Sequence, residues 1–451
     1  MLEEPSGLGV ALVDEPGALE GAGTGCHAGV GFPVSKSPPL IGPEYLQRFN
    51  CIADHCEDTC CSNLKVPVDA YGRSRMREAL SASGMTSAAF DQLVPLNLDR
   101  SDPEQAAFIQ MDKNGRCPFL DERQLCGIHR RHGAEVLANA CSMFPRAVNR
   151  YPDRREAVGS FACPEIVRLA LLSEASLEPR PLPPGVVPRD FVNRTLDADA
   201  GTAYAAGRDR VRAVVMRLLE SDRFPPSSRM VFLGQLGHWL RPFYYRGAPP
   251  FDRQEMEEKL RAIESPELLL SIHKNFAKLE LLTDKWIALF LSILEERLRA
   301  GAPPRLARLA EGVLESYGGP SARGLTTRYR KIVASLTDDF GARLERYFRR
   351  HAMAWWYRNP HTDSEHLTAH VFKLAFRAAM LRVMLMGHPD TVPLMIESPD
   401  PSGDQLDALA VEVVQIFSKH LELSSEVQTW TARLSESSDA FANLVIVAKL
   451  L

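Results

Sequence analysis

Apolar positions along this chain follow two regimes. Beyond a proline-rich stretch, Pro179 to Pro188, they recur at the three-and-four spacing of amphipathic helices. Leu344, Tyr347, Phe348, Ala352 and Trp355 share one such face, and Val371, Leu374, Ala378, Leu381 and Leu385 repeat the pattern. Pro225-Pro226, Gly301 to Pro304 and Gly318 to Pro320 interrupt it, which predicts several separate helices without a fixed-period repeat. Between Pro43 and about Leu172 the apolar runs are short and divided by turn residues. There Cys117-Pro118-Phe119-Leu120 and Leu125-Cys126-Gly127-Ile128 flank the polar Asp121 to Gln124, a pattern that predicts a hairpin bringing Cys117 and Cys126 together. Cys163-Pro164-Glu165 precedes Ile166, Val167, Leu169, Ala170, Leu171 and Leu172, so a helix is expected with proline in its first turn and Cys163 at its amino end. Residues 1 to about 40 are rich in Gly, Pro, Ala and Ser, lack sustained periodicity and read as a mobile leader.

Composition narrows the class. With 451 residues, 45% of them hydrophobic and 24% charged, the chain has the make-up of an ordinary globular protein. A formal net charge of −4 argues against nucleic acid or an anionic membrane as the main partner. No apolar run reaches the length of a spanning helix; the one from Trp286 to Leu294 is soon broken by charges. The first residues carry Glu3 and Glu4 and no apolar signal core, so the expected compartment is the cytoplasm.

Cysteine placement then changes the picture. Of nine cysteines, eight lie between Cys51 and Cys163 and none follows; the ninth, Cys26, falls in the leader. Cys51, Cys56, Cys60 and Cys61 form one run, and Cys117, Cys126, Cys141 and Cys163 follow at wider intervals. In a reducing compartment so dense a set points to a metal or redox site rather than disulfides, and soft thiolates suit iron–sulfur clusters and zinc alike. Eight donors suffice for one centre or for two. Neighbouring side chains diverge, so one of Cys60 and Cys61 is expected to be buried or to serve a second site. At the amino end of its helix, Cys163 would have its thiolate favoured by free amides and the helix dipole. The fold expected is mainly α: a leader over 1–40, a cysteine-rich metal-binding module with short hairpin elements over 43–178, and an irregular helical domain over 190–451.

Other residues carry less. His55, His129 and His132 lie among the cysteines but are superfluous beside eight sulfurs. His351, His361, His366 and His370 lack the H-E-x-x-H arrangement and read as a solvated helix face. Asp54, Glu57 and Asp58 are candidate bases by proximity alone and read as exposed or hydrogen-bonding acids. Gly7-Leu8-Gly9 lacks the third glycine and the strand–turn–helix context of a dinucleotide site.

At the cysteine blocks the chain resembles the flagellin lysine-N-methylase family, within the wider group of cysteine-rich zinc- or iron-chelating domains. The resemblance is carried by Tyr45-Leu46 with Phe49-Asn50-Cys51, by Cys56-Glu57-Asp58-Thr59-Cys60-Cys61, and by Cys117-Pro118-Phe119-Leu120 with Leu125-Cys126-Gly127-Ile128-His129. Cys141-Ser142-Met143-Phe144-Pro145-Arg146 and Cys163-Pro164-Glu165 complete it, and Leu344-Glu345-Arg346-Tyr347-Phe348 to Met380-Leu381-Arg382 looks like the family's helical part. The chain departs from the family at Asn63-Leu64, where a tryptophan is usual, and in its glycine-rich leader. The resemblance implies methyl transfer from S-adenosylmethionine to lysine ε-amino groups of flagellin, and tips the metal from zinc toward an iron–sulfur cluster. No glycine fingerprint or Cys-x3-Cys-x2-Cys run marks a donor pocket, since Cys56-x3-Cys60 is followed directly by Cys61. Catalytic and donor-binding residues therefore stay unassigned. The competing reading is an iron–sulfur or zinc protein with an electron-transfer or structural role.

Overall fold

Prolines and small polar residues set where this chain turns helical. Pro164, Pro226, Pro266 and Pro304 each open a helix, where a missing N–H is harmless. Thr337 and Ser265 accept the free amides of Phe340 and Leu268 at the starts of Asp338–Arg358 and Pro266–Ala277. Gly318, at φ +77°, closes Pro304–Tyr317 in the left-handed conformation. The expected interruptions accordingly separate the helices Ala203–Glu220, Pro226–Leu240, Asp284–Arg299, Pro304–Tyr317 and Leu325–Ala334. The computed structural model describes residues 38–451 except 100–101, 197–202, 245–252, 282, 361–365, 397–402 and 436–438. Through residue 37 the expected leader lies outside the described residues, as do Cys26 and His361. Over the described residues the fold is mainly α, and none of their helices is long and apolar enough to cross a membrane.

The helix Leu367–Met386 is central, packed by Pro226–Leu240 and Ala440–Ala448. It is buried almost all round, and this corrects the reading of its histidines as a solvated face. His370 lies 4.8 Å from both the Trp355 and Trp356 rings, and His351 stacks on Phe161 at 5.4 Å. Burial pushes the His351 pKa down to about 4. His366 caps the helix by accepting the Ala369 amide at 3.1 Å.

Short strands organise the cysteine-rich part: β1 (Leu40–Gly42), β2 (Val66–Val68), β3 (Ala107–Ile109), β4 (Arg146–Arg150), β5 (Arg155–Gly159), β6 (Arg180–Pro181) and β7 (Arg194–Thr195). Five form one mixed sheet in the order β6-β1-β5-β4-β7, and β2 pairs with β3. In the sheet β4 and β5 pair antiparallel, Arg146 opposite Gly159, while β1 runs parallel to β5. The proline-rich stretch supplies β6, which pairs antiparallel with β1 at the sheet edge, a position where proline forfeits no ladder bond.

Two apolar cores result. The small one gathers Val68, Met76, Leu80, Phe90, Val94, Ala107, Phe119 and Ile128. The large one joins Tyr45, Leu46, Val148, Val158, Ile166 and Leu171 to the C-terminal helices. The helix Pro164–Leu172 packs on Gly403–His420 and Asp338–Arg358, so the chain after Cys163 is anchored directly on the helical mass.

Candidate metal centre

None of the eight cysteines from Cys51 to Cys163 is in a disulfide. Each is placed by a short local element. The Asp121–Leu125 turn closes with Asp121 N–H donating to Leu125 O at 2.9 Å and Gly127 N–H to Phe119 O at 2.8 Å, and Leu120 bridges Cys126. The expected hairpin is present, and Cys117 and Cys126 lie within electrostatic reach of one another. Cys117 N–H donates to Cys61 O at 2.9 Å, and Asn63 N–H to Gly115 O at 2.7 Å, stitching the first cysteine run to the second. Asn63 itself has φ +55°, a left-handed conformation that asparagine tolerates and a tryptophan would not. Cys141 lies in the helix Asn139–Met143, and the β4–β5 hairpin carries the chain on to Cys163. Cys163 sits at the amino end of Pro164–Leu172 as expected, without a capping hydrogen bond from its side chain.

The thiols group by neighbour and by core. Cys61, Cys117, Cys126 and Cys141 pack in or on the small core. Cys141 feels the charges of Cys126, Cys117 and Cys60, and Cys61 those of Cys60, Cys141 and Cys117. Cys163 belongs to the large core and faces Cys56 and Cys60, while Cys56 also faces Cys51. Cys60 joins the two groups, its Sγ 3.9 Å from that of Cys61. The adjacent pair therefore does not point fully apart, because the chain turns sharply at Thr59–Ser62, where Ser62 Oγ donates to Thr59 O at 3.2 Å.

Burial pushes the Cys117 thiol up to about 11 and the Cys163 thiol up to about 12, so at Cys163 burial outweighs the help expected from the helix amino end. Cys141 and Cys56 are raised for the same reason. Cys60 moves the other way: the hydrogen bond with Cys61 lowers it, as does the Lys419 ammonium, while Cys61 is raised. Sulfurs so enclosed become thiolates readily only against a compensating cation. A single tetrahedral zinc would hold its sulfurs about 3.8 Å apart, given Zn–S bonds of about 2.3 Å. Among the described residues no three Cys, His, Asp or Glu side chains close around one point as ligands of a single ion. Two groups of four thiols match the four-thiolate demand of iron–sulfur clusters.

Around the thiols stand residues that their sequence neighbourhoods did not nominate. Lys419, on the helix Gly403–His420, donates from Nζ to both Asp58 carboxylate oxygens at 2.9 Å. Gln415 Nε2 donates to Asp58 Oδ2 at 2.8 Å and to Ala162 O at 3.2 Å, and Arg305 lies 3.6 Å from the same carboxylate. Arg146, stacked over Phe49 at 4.7 Å, faces Cys51 and Cys163. Of the acids singled out in the sequence, Asp54 pairs with Arg123 at the surface, Glu57 pairs with Arg168, and Asp58 is the hydrogen-bonded one. His55 and His129 are exposed, and His132 meets Ser83 Oγ at 3.2 Å.

A cleft of about 320 Å³, lined by Glu57 and Pro164, the residues after Cys56 and Cys163, opens between the helices Pro164–Leu172 and Gly403–His420. Glu57, Asp404, Asp407 and Glu412 line it together with Arg168 and Arg305, so carboxylates outnumber guanidiniums by four to two. Asp407 is engaged by the Tyr347 hydroxyl. Arg168 holds Glu57 and Glu165, and Arg305 approaches Glu412 at 3.5 Å.

Residues 50–162 match the family described as "Putative zinc- or iron-chelating domain". A Lysine-N-methylase of Salmonella typhimurium is 30% identical over 131 residues, 29% of this chain and 32% of that protein. One from Salmonella choleraesuis is 28% identical over the same span, again 32% of its length. The Flagellar biosynthetic protein FliU of Salmonella muenchen is 29% identical over 131 residues, 76% of its length. The chain thus matches about a third of the length of these Lysine-N-methylases. No solved structure matches it.

Proposed function

We propose, for a chain whose cysteine-rich segment is that of the flagellin lysine-N-methylase family, that it transfers a methyl group from S-adenosylmethionine to lysine ε-amino groups of flagellin in the cytoplasm. All eight thiols from Cys51 to Cys163 would serve an iron–sulfur centre. One observation carries this reading: eight unbridged thiols come from separate segments, and Glu57 and Pro164, next in the chain to Cys56 and Cys163, line an open cleft of mixed charge. Iron is favoured over zinc because the spacing of these cysteines is not that of a standard zinc pair. When bound, an iron–sulfur centre supplies one-electron chemistry.

The cleft suits both reactants. Glu57, Asp404 and Glu412 attract a lysine ammonium or the sulfonium of the donor, and Arg168 and Arg305 match a carboxylate. In direct transfer the neutral amine forms the new C–N bond, the C–S bond breaks, and the electron pair leaves with S-adenosylhomocysteine. A free lysine has a pKa near ~10.4, so the amine must first lose a proton, and the cleft carboxylates are within the lining to take it.

Cells making this protein with its own flagellin should yield filaments whose lysines are heavier by a methyl group, and Cys117→Ser should abolish that increment. Identical lysine masses with wild-type and deleted protein would remove the methylase reading. The electron-transfer or structural reading would then lead, since four thiols per group would saturate a cluster.

A further inference from the structure

Lys419 has only 1% of its side chain exposed. Besides Asp58, its Nζ reaches the Thr59 carbonyl at 2.9 Å and Ser62 Oγ at 3.3 Å, so all its acceptors lie on the loop that carries Cys56, Cys60 and Cys61. Burying an ammonium is costly even when it is paired, and an apolar side chain would fill the same space more cheaply. The surroundings give the charge a use. Arg305 is shared between Asp58 at 3.6 Å and Glu412 at 3.5 Å, so Lys419, at 2.9 Å, is the cation that covers the Asp58 carboxylate behind the loop. The ammonium also holds the Thr59 carbonyl, on the residue immediately before Cys60, which sets its charge beside that thiol. The charge and hydrogen bonding around a cluster's sulfurs set its electron affinity.

We propose that Lys419 is a positioning residue that holds the Cys56–Ser62 loop in place and, through its charge, raises the reduction potential of the centre bound by these thiols. The inference rests on the iron–sulfur reading above but not on methyl transfer. Gln415 extends the arrangement, because it ties Asp58 to the Ala162 carbonyl next to Cys163. One turn of the helix Gly403–His420 thereby fixes both ends of the thiol group on the large core.

The test uses the full chain, reconstituted anaerobically with iron and sulfide, and compares wild type with Lys419→Arg, Lys419→Gln and the double variant Lys419→Gln/Asp58→Asn. Iron per chain and the midpoint potential, from dye-linked titration followed by visible absorption and electron paramagnetic resonance, are the readouts. Lys419→Arg should keep both near wild type. Lys419→Gln should make one-electron reduction about tenfold less favourable, a potential about 59 mV more negative; loss of iron confined to this variant also supports the proposal. In the double variant the uncovered carboxylate is removed as well, and the potential should return toward wild type. An unshifted potential in cluster-bearing Lys419→Gln overturns the inference, as does loss of iron in all three variants, which would assign Lys419 to loop shape alone. Wild-type protein that takes up no iron would overturn the iron–sulfur reading itself, an outcome visible in the first measurement.

Discussion

The two thiol groups stand on unlike foundations. Cys61, Cys117, Cys126 and Cys141 rest on a small core built from one pair of three-residue strands, turns and a few helices of at most 13 residues, joined by individual backbone hydrogen bonds. Cys163 belongs to a core in which whole helices bury aromatic rings, with Phe376 edge-on to Phe290 at 5.0 Å. The difference teaches which interactions carry each ligand set. A small core buries too little apolar surface to order long loops by itself, so metal binding should contribute much of the order there. The large core should hold its side of the centre whether or not metal is present.

The largest expected effect separates the groups outright. Cys141→Ser should remove roughly half of the bound iron and Cys163→Ser the other half, if each group of four holds its own cluster. Iron analysis that shows either substitution emptying the protein would merge them into one centre. Next, Phe376→Ala should destabilise the large core by about 3–5 kcal/mol in denaturant unfolding, yet leave iron per folded chain unchanged, since Phe376 packs against Trp286, Phe290 and Phe372 rather than near a thiol. Reduced iron in the folded fraction would show that the cores are coupled. Smallest is Gly115→Ala. At φ +73° a Cβ would meet Asn63 Oδ1 at 2.1 Å, and the left-handed conformation costs an alanine about 1–2 kcal/mol. The small-core thiols should lose metal in a chelator challenge while the main unfolding transition moves little; unaltered chelator resistance would show that this turn does not support them.

Much of this was legible from spacing. The helix breaks at Pro225-Pro226 and Gly318, the cap at Cys163 and the Cys117–Cys126 hairpin all follow from local chemistry, which neighbouring residues reveal. Features made by distant residues were not legible. The five-stranded sheet escaped because its strands are two to five residues long, too short for alternation to register, and because β1 pairs with residues more than a hundred positions away. His366 and His370 were misjudged because their i, i+4 spacing says nothing of what covers them; both are buried, and Trp355 and Trp356 on another helix cover His370. Lys419 looks like any helical lysine until the fold sets Asp58 against it.

That last pair also has a clock in it. Asp58 and Lys419 are separated by 361 residues, and a ribosome adding about 5–20 residues per second needs roughly 20–70 s to cover that distance. Throughout that interval the first four thiols are already made, while the ammonium that closes over their loop does not yet exist. Metal delivered during synthesis therefore meets an open, unlatched loop, whereas metal delivered afterwards must enter a loop already tied down at Asp58, Thr59 and Ser62.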